Sequence, residues 1–156
     1  MKLQEADFEP GFAIALPETY ALILSASLTV HPLVSRITLH GSRGPAGGYR
    51  VDSDVDLSLI VDTPVRDIER QLNDVLETTL RSWHAAVELD LAVIFDIREC
   101  GLQCFDQPAW NEQACQSGGV DCFGLYKTQK GFHGLVTHAG IQVKRMYPCL
   151  KIWQRA

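Results

Sequence analysis

The sequence predicts an α/β (α+β) domain, a small mixed β-sheet with helices packed against it. Three observations carry that expectation. Strand-like stretches occupy residues 34–40, 55–61 and 86–95. A helix-period pattern lies between the second and third of them, so the order reads strand, loop, strand, helix, strand, then helices. The composition, 46% hydrophobic and 21% charged over 156 residues, is that of an ordinary globular domain with enough chain to bury a core.

The first expected helix runs over residues 18–30, opened by Pro17 and closed before His31-Pro32. Residues 34–40 then alternate, with Val34, Arg36, Thr38 and His40 on one side and Ser35, Ile37 and Leu39 on the other. Residues 41–48, with four glycines and Pro45, must be loop or a broken helix start. Val55, Leu57, Leu59 and Val61 mark one face of the second strand. A helix should open at Thr63-Pro64, since proline suits the first helical position, and run through Val65, Ile68, Leu72, Val75, Leu76, Leu80 and Trp83. Ala86–Phe95 is the third strand. Beyond it the expectation is a short helix at Pro108–Ser117, a strand at Val120–Tyr126 and a helix over His133–Met146 stopped near Pro148. The chain thus reads as one domain, 1–156, with a core of about 33–96 and a helical C-terminal part of about 105–156.

A net charge of −5 argues against a protein that coats DNA or RNA, which needs a basic surface. It suits a nucleotide-sized anion carried with divalent cations. No apolar run approaches the roughly 20 residues of a membrane span. Met1–Pro10 carries acids rather than the basic start of a signal peptide, and a cytoplasmic location is expected. Five cysteines without a Cys-x-x-Cys pair point to reduced thiols, not a zinc ribbon.

The chemistry concentrates between His40 and Leu57. Asp54 and Asp56 stand two apart on a predicted strand, so both leave the same face. Two such carboxylates repel unless a cation lies between them. Oxygen ligands on a rigid strand suit Mg²⁺ (or Mn²⁺), which keeps waters and substrate phosphates as further ligands. Asp90, mid-strand among Val87, Leu89, Leu91 and Val93, is the third candidate carboxylate, because its burial needs a cationic partner. Glu88 shares its face but sits nearer the strand start. Gly41 and Ser42 can bring backbone amides and a hydroxyl to a phosphate, with Arg43 as a further phosphate contact. The loop lacks the Gly-Lys-Ser/Thr ending of a P-loop.

An apolar strand, Gly41-Ser42, a spacer over 43–53, Asp54-x-Asp56 and a later Asp90 resemble the signature of the DNA polymerase β-type nucleotidyltransferases, most of all their minimal members. The resemblance covers about 33–95, and His40 stands where that family usually has an aromatic or aliphatic residue. It implies a nucleotidyltransferase-like fold in which Asp54, Asp56 and Asp90 bind metal and Gly41 and Ser42 hold the triphosphate of an NTP, ATP being the first candidate. An acceptor hydroxyl would attack the α-phosphorus and expel pyrophosphate. The acceptor stays open between a small molecule and a macromolecule, and a HEPN-type protein is the partner implied.

Plainer roles compete. Asp52 reads as a turn residue, Asp62 and Asp67 as acids favouring a helix N-terminus, Glu88 as solvated, and His40 as packing or hydrogen-bonding near the site. His133 and His138 have the wrong spacing for two metal ligands on one helix face. Lys144, Arg145, Lys151 and Arg155 read as a solvated helix end. The competing function is a catalytically weak, antitoxin-like partner-binding protein of the same fold.

Overall fold

The computed structural model describes residues 1–97, 108–115, 123–129, 131–136 and 146–156. Strands β1 (Arg36–His40), β2 (Val55–Ile60), β3 (Leu89–Phe95), β4 (Gly124–Gln129), β5 (Phe132–Val136) and β6 (Leu150–Gln154) form one sheet. Their order is β5-β4-β3-β2-β1-β6. Among the described strands only β2 and β3 run parallel; the other neighbours are antiparallel, so the sheet is mixed, as expected. A parallel pair needs a crossover, and helix α3 (Ile68–Ser82) provides it.

Helix α3 starts later than Thr63-Pro64. Asp67 is its N-cap, accepting from the Arg70 amide at 3.2 Å, while Gln71 Oε1 accepts from the amides of Arg66 and Asp67 at 2.9 Å. Leu72, Val75 and Leu76 form its buried face, which packs into the main core with Leu57, Leu59, Leu91 and Val93 of the sheet. The first expected helix is also cut differently. Helices α1 (Pro10–Ala15) and α2 (Pro17–Ser25) stand in its place. Ser27 takes φ of 63°, which ends helical continuation. Leu28 and Val30, apparent last-turn residues, instead alternate in an extended segment that bridges Lys2 at Thr29 and buries both side chains.

The helical C-terminal part is corrected by strands. Where a helix over Pro108–Ser117 is expected, Glu112–Ala114 is one 3-10 turn, and 116 and 117 lie outside the described residues. The strand expected at Val120–Tyr126 begins, among the described residues, at Gly124 and continues to Gln129. Phe132–Val136 is a strand rather than the start of a helix, paired with β4 from Leu125↔Val136 to Gln129↔Phe132, and 137–145 lie outside the described residues. Gly131, at φ of 83°, supplies a turn conformation that a side chain would disfavour. Lys144 and Arg145 fall outside the described residues, as does His138. Lys151 lies in β6, and Arg155 donates to the Val34 carbonyl at 2.9 Å and to that of His31 at 3.2 Å, so neither belongs to a helix end.

The two sheet faces are unequally covered. Helices close one over the main core. On the other, Ile60, Ile94 and Phe123 form a small apolar cluster with Trp110, Met146 and Tyr147. Asp56 and Asp90 share that second face and remain only half-buried.

Candidate active site

Alternation sends Val55, Leu57 and Leu59 of β2 into the main core, and so turns Asp56 and Ser58 to the opposite face. The same holds for Asp90 and Ala92 of β3 against Leu89, Leu91 and Val93. Register completes the site. His40 pairs with Asp56 across β1 and β2, and Asp56 pairs with Asp90 across the parallel ladder. With neighbouring strands about 4.8 Å apart, the two carboxyl groups meet side by side. Burial, the Asp90 charge, a hydrogen bond to Asp90 and then the Asp54 charge push the Asp56 carboxyl up to about 7. The pair therefore holds a proton between its oxygens below neutral pH.

Gly41 packs against Asp56. Its φ is 72°, and a Cβ there would collide with Asp56 Oδ2, so glycine is required twice over. The chain then folds back on itself: the Gly44 amide donates to the Gly41 carbonyl at 3.0 Å, and a Cβ on Gly44 would lie 2.7 Å from the His40 carbonyl oxygen. Helix α2 pins the turn through Thr19 Oγ1, which donates to the Arg43 carbonyl at 2.7 Å. Ser42 is half-buried at the turn beside Gly41.

Arg43, expected at a phosphate, is employed otherwise. Only 7% exposed, it donates from Nε to the Ser53 carbonyl at 2.7 Å and from Nη2 to those of Arg50 and Val51, both at 3.1 Å. Its guanidinium also lies 4.7 Å from the Tyr49 ring centroid. Arg43 thus ties down the spacer that leads into Asp54. Asp54 is half-buried just before β2, while Asp52 in its turn and Glu88 before β3 are exposed.

His40 hydrogen-bonds beside the carboxylates, in the role expected for it. It is 8% exposed; Nδ1 lies 2.6 Å from the Met146 carbonyl, and Nε2 lies 2.9 Å from Thr38 Oγ1 and 2.8 Å from Ser58 Oγ. The carbonyl can only accept, so Nδ1 carries the proton and Nε2 accepts from the hydroxyls. Burial pushes this imidazole down to about 4, and it is neutral at physiological pH.

A cleft of about 320 Å³ runs along this face from His40 and Gly41, past Asp56 and Asp90, to Lys127 and Gln129 on β4. That volume suits a small ligand or part of a larger one. Lys127 and Gln129 were not singled out by the sequence reading. The signal was present: Leu125, Lys127 and Gln129 alternate with Tyr126 and Thr128 just beyond the expected strand.

The carboxylates fit a hard divalent cation in their donor chemistry. A cation could displace the proton shared by Asp56 and Asp90, with Asp54 adding charge nearby. Among the described residues no three His, Cys, Asp or Glu groups form a ready-made metal cage. Among the described residues no helix is long and apolar enough to cross a membrane. Comparison with family models, with curated proteins and with solved structures finds no match to the chain.

Proposed function

We propose that the protein is a metal-dependent nucleotidyltransferase, transferring an NMP from NTP to a hydroxyl acceptor with release of pyrophosphate. The observation that carries this reading is the cross-strand register of Asp56 and Asp90 on one sheet face, with Gly41 packed against Asp56 just after β1. In this reading the Gly41–Ser42 turn receives the triphosphate, its backbone approaching the ligand closely because Gly41 has no side chain. Asp54, Asp56 and Asp90 hold Mg²⁺ or Mn²⁺, which when bound neutralises phosphate charge and acidifies the attacking hydroxyl. Asp90, on the side of the pair away from Gly41, receives the hydroxyl proton. His40 keeps β1 and β2 in register through Ser58 and takes no proton itself, being neutral with both ring nitrogens engaged. NTP and Mg²⁺ point to the cytoplasm as its working compartment.

The test is nucleotide-dependent stability followed by transfer. At ligand about a hundredfold above Kd, binding adds about 2.7 kcal/mol, which for a domain of this size raises Tm by about 5–10 °C. Asp54→Asn and Asp56→Asn should each remove the MgATP shift. Incubation with α-labelled NTP, Mg²⁺ or Mn²⁺ and hydroxyl acceptors should place label on an acceptor in a reaction that Asp90→Asn abolishes and Glu88→Gln spares. No shift at millimolar MgATP, or unchanged transfer by Asp90→Asn, would refute the reading.

A further inference from the structure

We infer that the cleft contains a separate anion subsite at Lys127, which selects a hydroxyl acceptor carrying a phosphate or carboxylate group. This rests on the nucleotide-transfer reading and supplies the acceptor class that reading leaves open.

The order of groups across the sheet gives the direction. Gly41 follows β1, Asp56 lies on β2, Asp90 on β3, and Lys127 and Gln129 on β4, all along one cleft. With the triphosphate on the Gly41 side, an in-line displacement brings the attacking hydroxyl from the opposite side, over β3 and β4. Tyr126 confirms which way β4 faces: it donates to Glu69 Oε2 of α3 at 3.2 Å on the helical side, so Lys127 faces the cleft.

Lys127 is half-buried, and its immediate neighbours on the sheet are small. Its cross-strand neighbours are Ala92 on β3 and Gly134 on β5, a methyl group and a hydrogen. Among the described residues, a Cβ on Gly134 would meet nothing within 4 Å. Lys127 Nζ donates to Gln129 Oε1 at 3.0 Å, a neutral amide that orients the ammonium without cancelling its charge. Among the described residues lining the cleft, Lys127 is the one lysine or arginine. A cation one strand beyond Asp90 would repel neither the acceptor nor the acids, and it offers an anion on the acceptor a fixed point of attachment.

Lys127 takes no part in the bond changes. The acceptor oxygen forms a bond to the α-phosphorus, the bond from that phosphorus to the bridging oxygen breaks, and pyrophosphate leaves. The hydroxyl proton passes to the Asp90 carboxylate and from there to water. Lys127 is a binding residue that sets which hydroxyl compound is correctly placed.

Titration calorimetry on the whole protein, loaded with Mg²⁺ and α,β-methylene-ATP, tests this with glycerol 3-phosphate, glycerate and neutral glycerol. Glycerol 3-phosphate, glycerate or both should bind, and glycerol should not; which anion binds identifies phosphate or carboxylate as the group read. Loss of one charge-assisted hydrogen bond predicts that Lys127→Met weakens the anion by at least about tenfold, while Lys127→Arg retains most of the affinity. The affinity for α,β-methylene-ATP should be the same in Lys127→Met as in the wild type. Anion binding that survives Lys127→Met overturns the subsite, as does a loss that falls on the nucleotide analogue instead. If the analogue binds and neither anion does, this inference alone fails. If the analogue itself does not bind, the nucleotidyltransferase reading fails and takes the subsite with it.

Discussion

Replacing Asp56 with Asn in the metal-free protein should make it more stable. The free site confines two carboxyl groups in one register position, and Asp56 is raised from 3.8 to about 7 chiefly by burial and by Asp90. That rise corresponds to about 4 kcal/mol between the protonated and ionised forms. Asp56 is only half-buried, so water screens the pair, and about half of that figure, about 2 kcal/mol, is the magnitude to expect. The sign follows from proton linkage. A carboxyl with a raised folded value binds its proton more tightly when folded, so its unfavourable contribution is absent below pH 3.8, grows as pH rises and is complete above about 7. Asp56→Asn removes it and leaves an amide that can donate to Asp90. Urea denaturation in EDTA, for the variant and the wild type from pH 4.5 to 8.5, should give a stability difference rising from near zero to about 2 kcal/mol and then flat above pH 7. Taking the difference cancels other titrating groups, including His40, which acts in the opposite direction over the same range. A difference independent of pH, or a variant less stable than the wild type at pH 8, would refute the reasoning.

Gly41→Ala forces a Cβ into Asp56 Oδ2 at a positive φ, so it should cost at least about 1 kcal/mol and weaken MgATP binding about tenfold or more while circular dichroism shows the fold retained. Arg43→Met leaves the carbonyls of Val51 and Ser53 without their donor and the Arg50 carbonyl with the Ser53 amide alone, at a cost of about 1–3 kcal/mol, and tryptic cleavage after Arg50 should accelerate. His40 is lowered from 6.5 to about 4, so its contribution is present above pH 6.5 and is lost as pH falls toward 4. His40→Gln should therefore lower stability at pH 7.5, and the gap to the wild type should narrow on acidification, as read by urea denaturation.

The first three strands and the acids were legible because short buried strands leave a two-residue alternation in the sequence. Asp90 stands out among Leu89, Leu91 and Val93 for the same reason, and the sheet places it opposite Asp56. Arg43 was not legible as a loop tie, since its partners are backbone carbonyls that any sequence would provide. Nor was the Met146 contact of His40, which joins positions 106 residues apart. The β4–β5 hairpin escaped because Phe132–Val136 is partly exposed and contains Gly134, giving weak strand alternation; its place is fixed by pairing rather than local pattern. Leu28 and Val30 fit a helical period equally well, and only the left-handed backbone at Ser27 separates them from α2.

The parallel ladder between β2 and β3 has a consequence for what the chain can accommodate. Asp56 and Asp90 are held opposite each other by strand pairing, so the connection between them is free to vary in length. The exposed segment 62–64 ahead of α3 is where added residues would be absorbed, since it lies before the Asp67 cap and outside the packed face of the helix. A shift of one residue within β3 is a different matter, because it would send Asp90 into the core and Leu89 or Leu91 into the cleft. Relatives of this chain can thus diverge widely in loop length between the two acids while the position of each acid within its strand stays fixed.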